Sequence, residues 1–449
     1  MTETTRYTEG SGSSEIKRTP LWLRAYTFLG LLLFTGALQR VVGGGNSLEG
    51  SVSGTVLQQS NSSIAILAML VYASAGALLV IRHRNVMIEK SMYPLLILNG
   101  WAILTALWSS DPSRSLLRSA GLSGCSLFAI YMLNTLPRGE ILRQFVNVAV
   151  FLVWTTAVLA FLVPSYSFHN SNEFFSIHSG LLKGTFEHKN TLAKVLSYLI
   201  VVIVGVGPIY IRNRLFLIIT VSMAVYLMAL TGSAKTFATV PLGLGAGAVL
   251  VFVNSPTTRV WMLGMAAILW FGIEALGLMD QLFSFLLSSL DRDPTLSART
   301  LIWSSAIATA TEMHPFLGGG YEVAWQDGIG RAVQSAIGID PSHAHNGYIM
   351  AYIELGLIGS IIVFYALWTI AWRLITTVPG ESKRLYFFIG AWFALFIGNN
   401  FSGSYLTQPG DIYWLQIVLT PVLLGWVTHG DNIRRNTPSM YSGEKFKDA

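Results

Sequence analysis

Long apolar stretches alternate with short polar ones along almost the whole of this 449-residue chain. The apolar stretches fall at about 22–39, 63–81, 92–109, 119–136, 143–164, 190–211, 215–232, 237–254, 260–278, 347–370, 386–399 and 412–428. Roughly 20 apolar residues in a helix cross a bilayer, so the pattern predicts an all-α polytopic membrane protein of about 12 transmembrane helices. Nine helices are expected within 21–278 and three within 347–428, with a disordered N-terminal segment at 1–20 and a polar tail at 429–449. The interval 279–346 is too long for an idle connection. It holds an apolar run, Gln281–Leu290, and a helical pattern, Ser297–Met313, so short helices over the bundle are expected there. No repeat of fixed period is visible, which excludes a solenoid.

Composition supports a membrane reading. The chain is 52% hydrophobic and only 12% charged, against about 25% charged in soluble domains. A net charge of +6 raises the question of nucleic acid, but the cations sit mostly in alternate short loops. Arg6, Lys17, Arg18 and Arg24 share one side with Arg82 and Arg84, Arg138 and Arg143, Arg212 and Arg214, Arg259, Arg373, Lys383 and Arg384, and with Arg434, Arg435, Lys445 and Lys447. By the positive-inside rule that side is cytoplasmic. The 279–346 loop then faces outward, and no nucleic-acid partner is expected. Cys125 is the sole cysteine, so no intramolecular disulfide can form.

Exceptions to the charge rule carry the candidate chemistry. Arg114, Arg118, Lys183, Lys189, Lys235, Arg292, Arg299 and Arg331 fall on or near the outer side. Any one of them could be a solvated loop charge. Arg118 and Lys235 abut predicted spans, where a charge is costly unless it meets a cavity or an anion. Lys189 and Asn190 end the polar knot that opens a span, and Arg299 heads a helical pattern. Guanidinium groups match phosphate oxygens, so the set predicts an anionic headgroup, such as a diphosphate, at the outer mouth.

His343-Ala-His345-Asn346 opens the next apolar helix. On a regular helix His345, Ile349, Tyr352, Gly356 and Gly359 share one stripe, with the glycines admitting a neighbouring helix. His343 and His345 lack clustered Cys or acidic companions, which argues against a metal. His345 then reads either as a structural cap or as a general base for a sugar hydroxyl. Glu354 points away from the stripe if the helix is regular. Asp291, Asp293, Glu322 and Asp327 read as loop carboxylates without distinguishing context.

Taken in order, these motifs resemble the O-antigen ligase and Wzy-type polysaccharide polymerase superfamily. The resemblance rests on His345-Asn346 with Gly356 and Gly359, on Arg299-Thr-Leu-Ile-Trp303, on Pro315-Phe-Leu-Gly-Gly-Gly-Tyr321, and on Trp108-Ser-Ser-Asp-Pro112 with Ser115 and Arg118. Phe186-Glu-His-Lys-Asn190 is most similar to the ExoQ-type exopolysaccharide polymerases. Ser233-Ala-Lys-Thr236 departs from the superfamily, whose members often carry arginine at this point. Lysine keeps the charge without the fork of donors.

The resemblance implies a metal-independent, cofactor-free membrane glycosyltransferase of the bacterial inner membrane with its site facing the periplasm. Its donor would be an undecaprenyl-diphosphate-linked glycan, its acceptor a second glycan, and a chain-length regulator is a conceivable protein partner. His345 would activate the acceptor, Arg299 would neutralise the leaving diphosphate, and Arg118, Lys189, Asn190, Lys235 and Asn346 would bind substrate. Polymerisation of lipid-linked repeats is the first expectation and transfer to lipid A-core, as in a ligase, the second. A flippase or transporter is the alternative from another class, because the same span count and basic lining would serve one.

Overall fold

A computed structural model describes residues 19–42, 62–83, 86–170, 178–275, 299–338, 341–380, 382–401 and 403–428. The described residues are helical throughout, apart from turns and one isolated antiparallel bridge between Phe168 and Leu182. A helix occupies each of the twelve apolar segments. In chain order these are α1 (Leu21–Phe34), α2 (Ser62–Arg82), α3 (Tyr93–Leu104), α4 (Pro112–Thr135), α5 (Arg138–Leu162), α6 (Lys189–Gly205), α7 (Arg214–Leu230), α8 (Ala234–Phe252) and α9 (Pro256–Ala275). Next come α10 (Arg299–Met313) and α11 (Gly330–Ile337), then α12 (Gly347–Thr376), α13 (Lys383–Asn400) and α14 (Ile412–Thr428).

Five of the described helices, α2, α4, α5, α8 and α12, are long and apolar enough by themselves to cross a membrane. The molecule is a multi-pass membrane protein. Its outer helices present Phe161, Phe252, Ile268 and Phe364, bulky side chains that water would not tolerate over so wide a surface. Inside, α6, α13 and α14 are buried along most of their length.

Small residues bring α8 close against α13. Gly243 and Gly247 of α8 stand one turn apart, and a β-carbon on them would come within 2.8 Å of the Ala391 carbonyl and 2.7 Å of the Phe387 carbonyl of α13. Without a hydrophobic drive between helices in lipid, this backbone proximity is what packs α8 on α13.

Basic residues at the end opposite the candidate site also do structural work. Arg259 is fully buried, and its guanidinium donates to the carbonyls of Val253, Ile375 and Thr377 at 2.6–2.9 Å. It thereby satisfies the C-terminal turn of α12. Sequence reading had treated Arg259 as a loop charge. The apolar run Gln281–Leu290, Arg292, Asp291, Asp293 and the two chain ends lie outside the described residues. Of the 279–346 interval, α10 covers most of the expected Ser297–Met313 pattern, and α11 lies outside both stretches that the sequence singled out.

Candidate active site

α12 does not run as a regular helix through its glycines. Gly356 has φ +68° and ψ −170°, which breaks the hydrogen-bond ladder. The loop Pro315–Tyr321 fills the break. Gly319 and Gly320 amides donate to the carbonyls of Ile353 and Glu354 at 3.0 and 3.2 Å, and the Leu357 and Ile358 amides donate to the carbonyls of Pro315 and Phe316 at 2.9 and 3.2 Å. The Trp101 indole donates to the Leu355 carbonyl at 2.9 Å and the Trp108 indole to the Gly318 carbonyl at 3.0 Å. Non-helical backbone at membrane depth survives only where the protein itself satisfies it. The expected stripe of His345, Ile349, Tyr352, Gly356 and Gly359 is therefore corrected. His345 precedes the helix, and Gly356 accommodates a loop where a helix had been expected.

Asn346 is the helix cap. Its Oδ1 accepts from the Tyr348 and Ile349 amides at 3.0 and 3.2 Å, while its Nδ2 donates to the Phe401 carbonyl at 3.2 Å. This places Asn346 in the scaffold, and the capping role considered for His345 belongs to its neighbour.

His345 itself sits at φ +52°, a region uncommon for any residue but glycine. Its amide donates to Nδ1 of His343 at 3.0 Å, and the two rings lie edge to face with centroids 4.1 Å apart. Two indoles hold this turn by its carbonyls: Trp303 donates to Ala344 at 2.8 Å and Trp325 to Pro341 at 3.0 Å. Trp303 follows Arg299 by one helical turn, so the two share a face of α10.

Charges converge here from separate elements. Burial lowers the His345 imidazole well below its ordinary value, and the charges of His343, Arg299, Lys235 and His188 push it the same way. His343 is lowered to about 4, again by burial first, with Lys235 and Arg299 adding to it. Both residues are half-buried. At neutral pH His345 is an uncharged imidazole, able to accept a proton.

His188 connects this group to the Phe186–Asn190 knot. It caps α6, its Nδ1 accepting from the Asn190 amide at 3.1 Å, and His169 Nε2 accepts from the Lys189 amide at 3.2 Å. The rings of His169, His178 and His188 lie 5.0–5.9 Å apart. Among the described residues no group of His, Cys, Asp or Glu has the geometry to hold a metal ion. Lys189 bears on His188, whereas Asn190 is exposed at the rim.

Arg118 belongs to a second cluster. With Arg114, one turn away on α4, it opposes the upward push that burial gives the Glu322 carboxyl. Glu354, just before the break in α12, is buried beside the Glu322 backbone. Glu322, read from sequence as an ordinary loop carboxylate, is thus a half-buried partner of two arginines. Its φ of +58° is a signal that only the coordinates carry.

Sequence reasoning also missed the 401–411 turn. Lys194 of α6 and Asp411 form a buried ion pair at 2.5 Å. Tyr405 lies over them, with Lys194 Nζ 4.4 Å and Lys235 Nζ 5.7 Å from its ring centroid. Tyr321 reaches the same turn, its hydroxyl donating to the Thr407 carbonyl. The apolar flanks of Lys194 made it look like helix interior, and the partner that explains it lies over 200 residues away.

These features define a helical membrane protein with an electropositive, histidine-bearing site gathered from four connections at one end of the bundle. Residues 197–364, from mid-α6 to mid-α12, match the family model described as O-Antigen ligase. The chain is 26% identical over 306 residues to the exopolysaccharide production protein ExoQ of Rhizobium meliloti (strain 1021), an alignment covering 64% of this chain and 64% of that protein. The chain is thus similar to the O-antigen ligase family over its central and later helices and to an ExoQ protein over somewhat less than two thirds of that protein's length.

Proposed function

We propose that this protein polymerises undecaprenyl-diphosphate-linked oligosaccharide repeats into an exopolysaccharide at the periplasmic face of a bacterial inner membrane. The observation that carries this reading is the His343–His345 turn, its rings packed edge to face and its carbonyls held by the Trp303 and Trp325 indoles, with Arg299 and Lys235 bearing on both rings. In the proposed reaction an acceptor hydroxyl attacks the anomeric carbon of the donor glycan. The new C–O bond forms as the bond from that carbon to the diphosphate oxygen breaks. His345 takes the hydroxyl proton, and the lipid diphosphate leaves with the electron pair. Arg299 and Lys235 stabilise the negative charge that grows on the leaving oxygen. Lys189 beside His188 and Arg118 in the Glu322 cluster extend the positive field, and Asn346 and His188 cap the two helix starts that frame the site, with Asn190 exposed at the second of them.

Neutralisation by fixed cations makes a metal unnecessary in this scheme, so transfer should persist in a chelator. The ExoQ relative, named for exopolysaccharide production, favours polymerisation over ligation. Purified protein given a lipid-linked repeat should build glycan ladders on lipid diphosphate. A single transfer to lipid A-core, with no ladder, would replace the polymerase with a ligase. Undiminished transfer by Arg299→Ala would remove the proposed phosphate role.

A further inference from the structure

Tyr405 stands at the floor of the candidate site. The Asn400 side chain holds it, Oδ1 accepting from the Tyr405 amide at 3.0 Å. Asn400 also packs against Gly347, where a β-carbon would collide with it. The turn bearing Tyr405 is therefore locked to the start of α12 beside His345, a junction that the Asn346 bond to Phe401 reinforces.

Its ring is fixed as well. Lys194 Nζ lies 4.4 Å from the centroid, and that ammonium is itself anchored by Asp411. Such a cation over a ring face resists rotation of the ring. The hydroxyl is treated differently. Among the described residues it has no hydrogen-bond partner, although Tyr321, Tyr386 and Tyr413 around the same bundle all place theirs on protein oxygens. Tyr405 is only half-buried, with Arg299 and Lys235 in its surroundings. Its hydroxyl is open to solvent, where an incoming ligand can reach it.

We infer that Tyr405 is a substrate-binding residue whose hydroxyl donates to an anionic oxygen of the diphosphate seated between Arg299 and Lys235. The inference rests on the proposed function and adds a neutral donor to its cations. Burial and the Asp411 carboxylate push the phenol up to about 12, against the pull of Arg299. The group therefore keeps its proton near neutral pH.

The test uses the full-length protein in detergent with two probes, undecaprenyl diphosphate and undecaprenol. Wild type should bind the diphosphate far more tightly than the alcohol. Tyr405→Phe keeps the ring and removes the donor. It should weaken diphosphate binding about tenfold, the order expected for a hydrogen bond to a charged group, and leave undecaprenol binding unchanged. Equal diphosphate affinity in Tyr405→Phe and wild type overturns the inference and leaves the proposed function standing. If wild type does not prefer the diphosphate, the proposed function fails and this inference fails with it.

Discussion

Gly318 and Gly356 meet backbone to backbone: a β-carbon on either would strike the amide nitrogen of the other. Both hold positive φ, +75° and +68°. This contact inserts the 315–321 loop into the break in α12, and so carries the Trp108 segment, the glycine loop and the histidine turn as one unit.

Gly356→Ala should accordingly destabilise the protein by about 3 kcal/mol or more, because strain and backbone collision add. Gly272→Ala, where a β-carbon would meet nothing within 4 Å, should be neutral. Thermal unfolding in detergent measures both, and similar midpoints would contradict the described break.

His345→Asn keeps a residue that tolerates the left-handed turn. It should abolish glycan joining while the melting temperature and the supply of outward-facing lipid-linked precursor stay unchanged. Precursor trapped on the cytoplasmic side would point instead to a flippase. Asn346→Ala should show the opposite balance, losing about 1 kcal/mol of stability with its cap.

The acid limb of the rate profile reports on the cations. His345 is lowered by burial first and by its positive neighbours next, so it remains uncharged, and active, well below the usual histidine range. Activity should fail only as pH drops through that lowered value. Arg299→Gln or Lys235→Gln removes a like charge, so the limb should shift to higher pH in each variant. His343 carries a stability consequence of the same sign. Its folded value near 4 lies below the ordinary 6.5, so the unfolded chain binds the proton first. Stability should fall as pH drops from 6.5 toward 4, and His343→Gln should flatten that fall.

Lys194→Met strands a buried carboxylate at Asp411. A loss of about 3–5 kcal/mol is expected from such a half-broken pair. Lys194→Met with Asp411→Leu should recover much of it, as unfolding midpoints of the single and double variants would reveal.

Much of this protein was legible in one dimension because lipid imposes a simple rule. Every spanning backbone must satisfy itself, so helices fall where apolar residues run, and α10 appears where Ser297–Met313 predicted it. His345, Arg299 and Lys235 could also be singled out, since charge and imidazole beside apolar helices are conspicuous. The regular stripe through Gly356 was not legible as a break. Periodicity counts residues, and a glycine at positive φ looks the same in a string as a glycine that admits a helix. The roles of Asn346, Glu322, Lys194 and Tyr405 likewise depend on partners far along the chain. Sequence alone determined where the helices run and which charged and imidazole side chains lie beside them, because local hydropathy and side-chain type fix those. Tertiary structure decided which of them cap, which pair and which face the cleft, because those roles arise only when four distant connections share one volume.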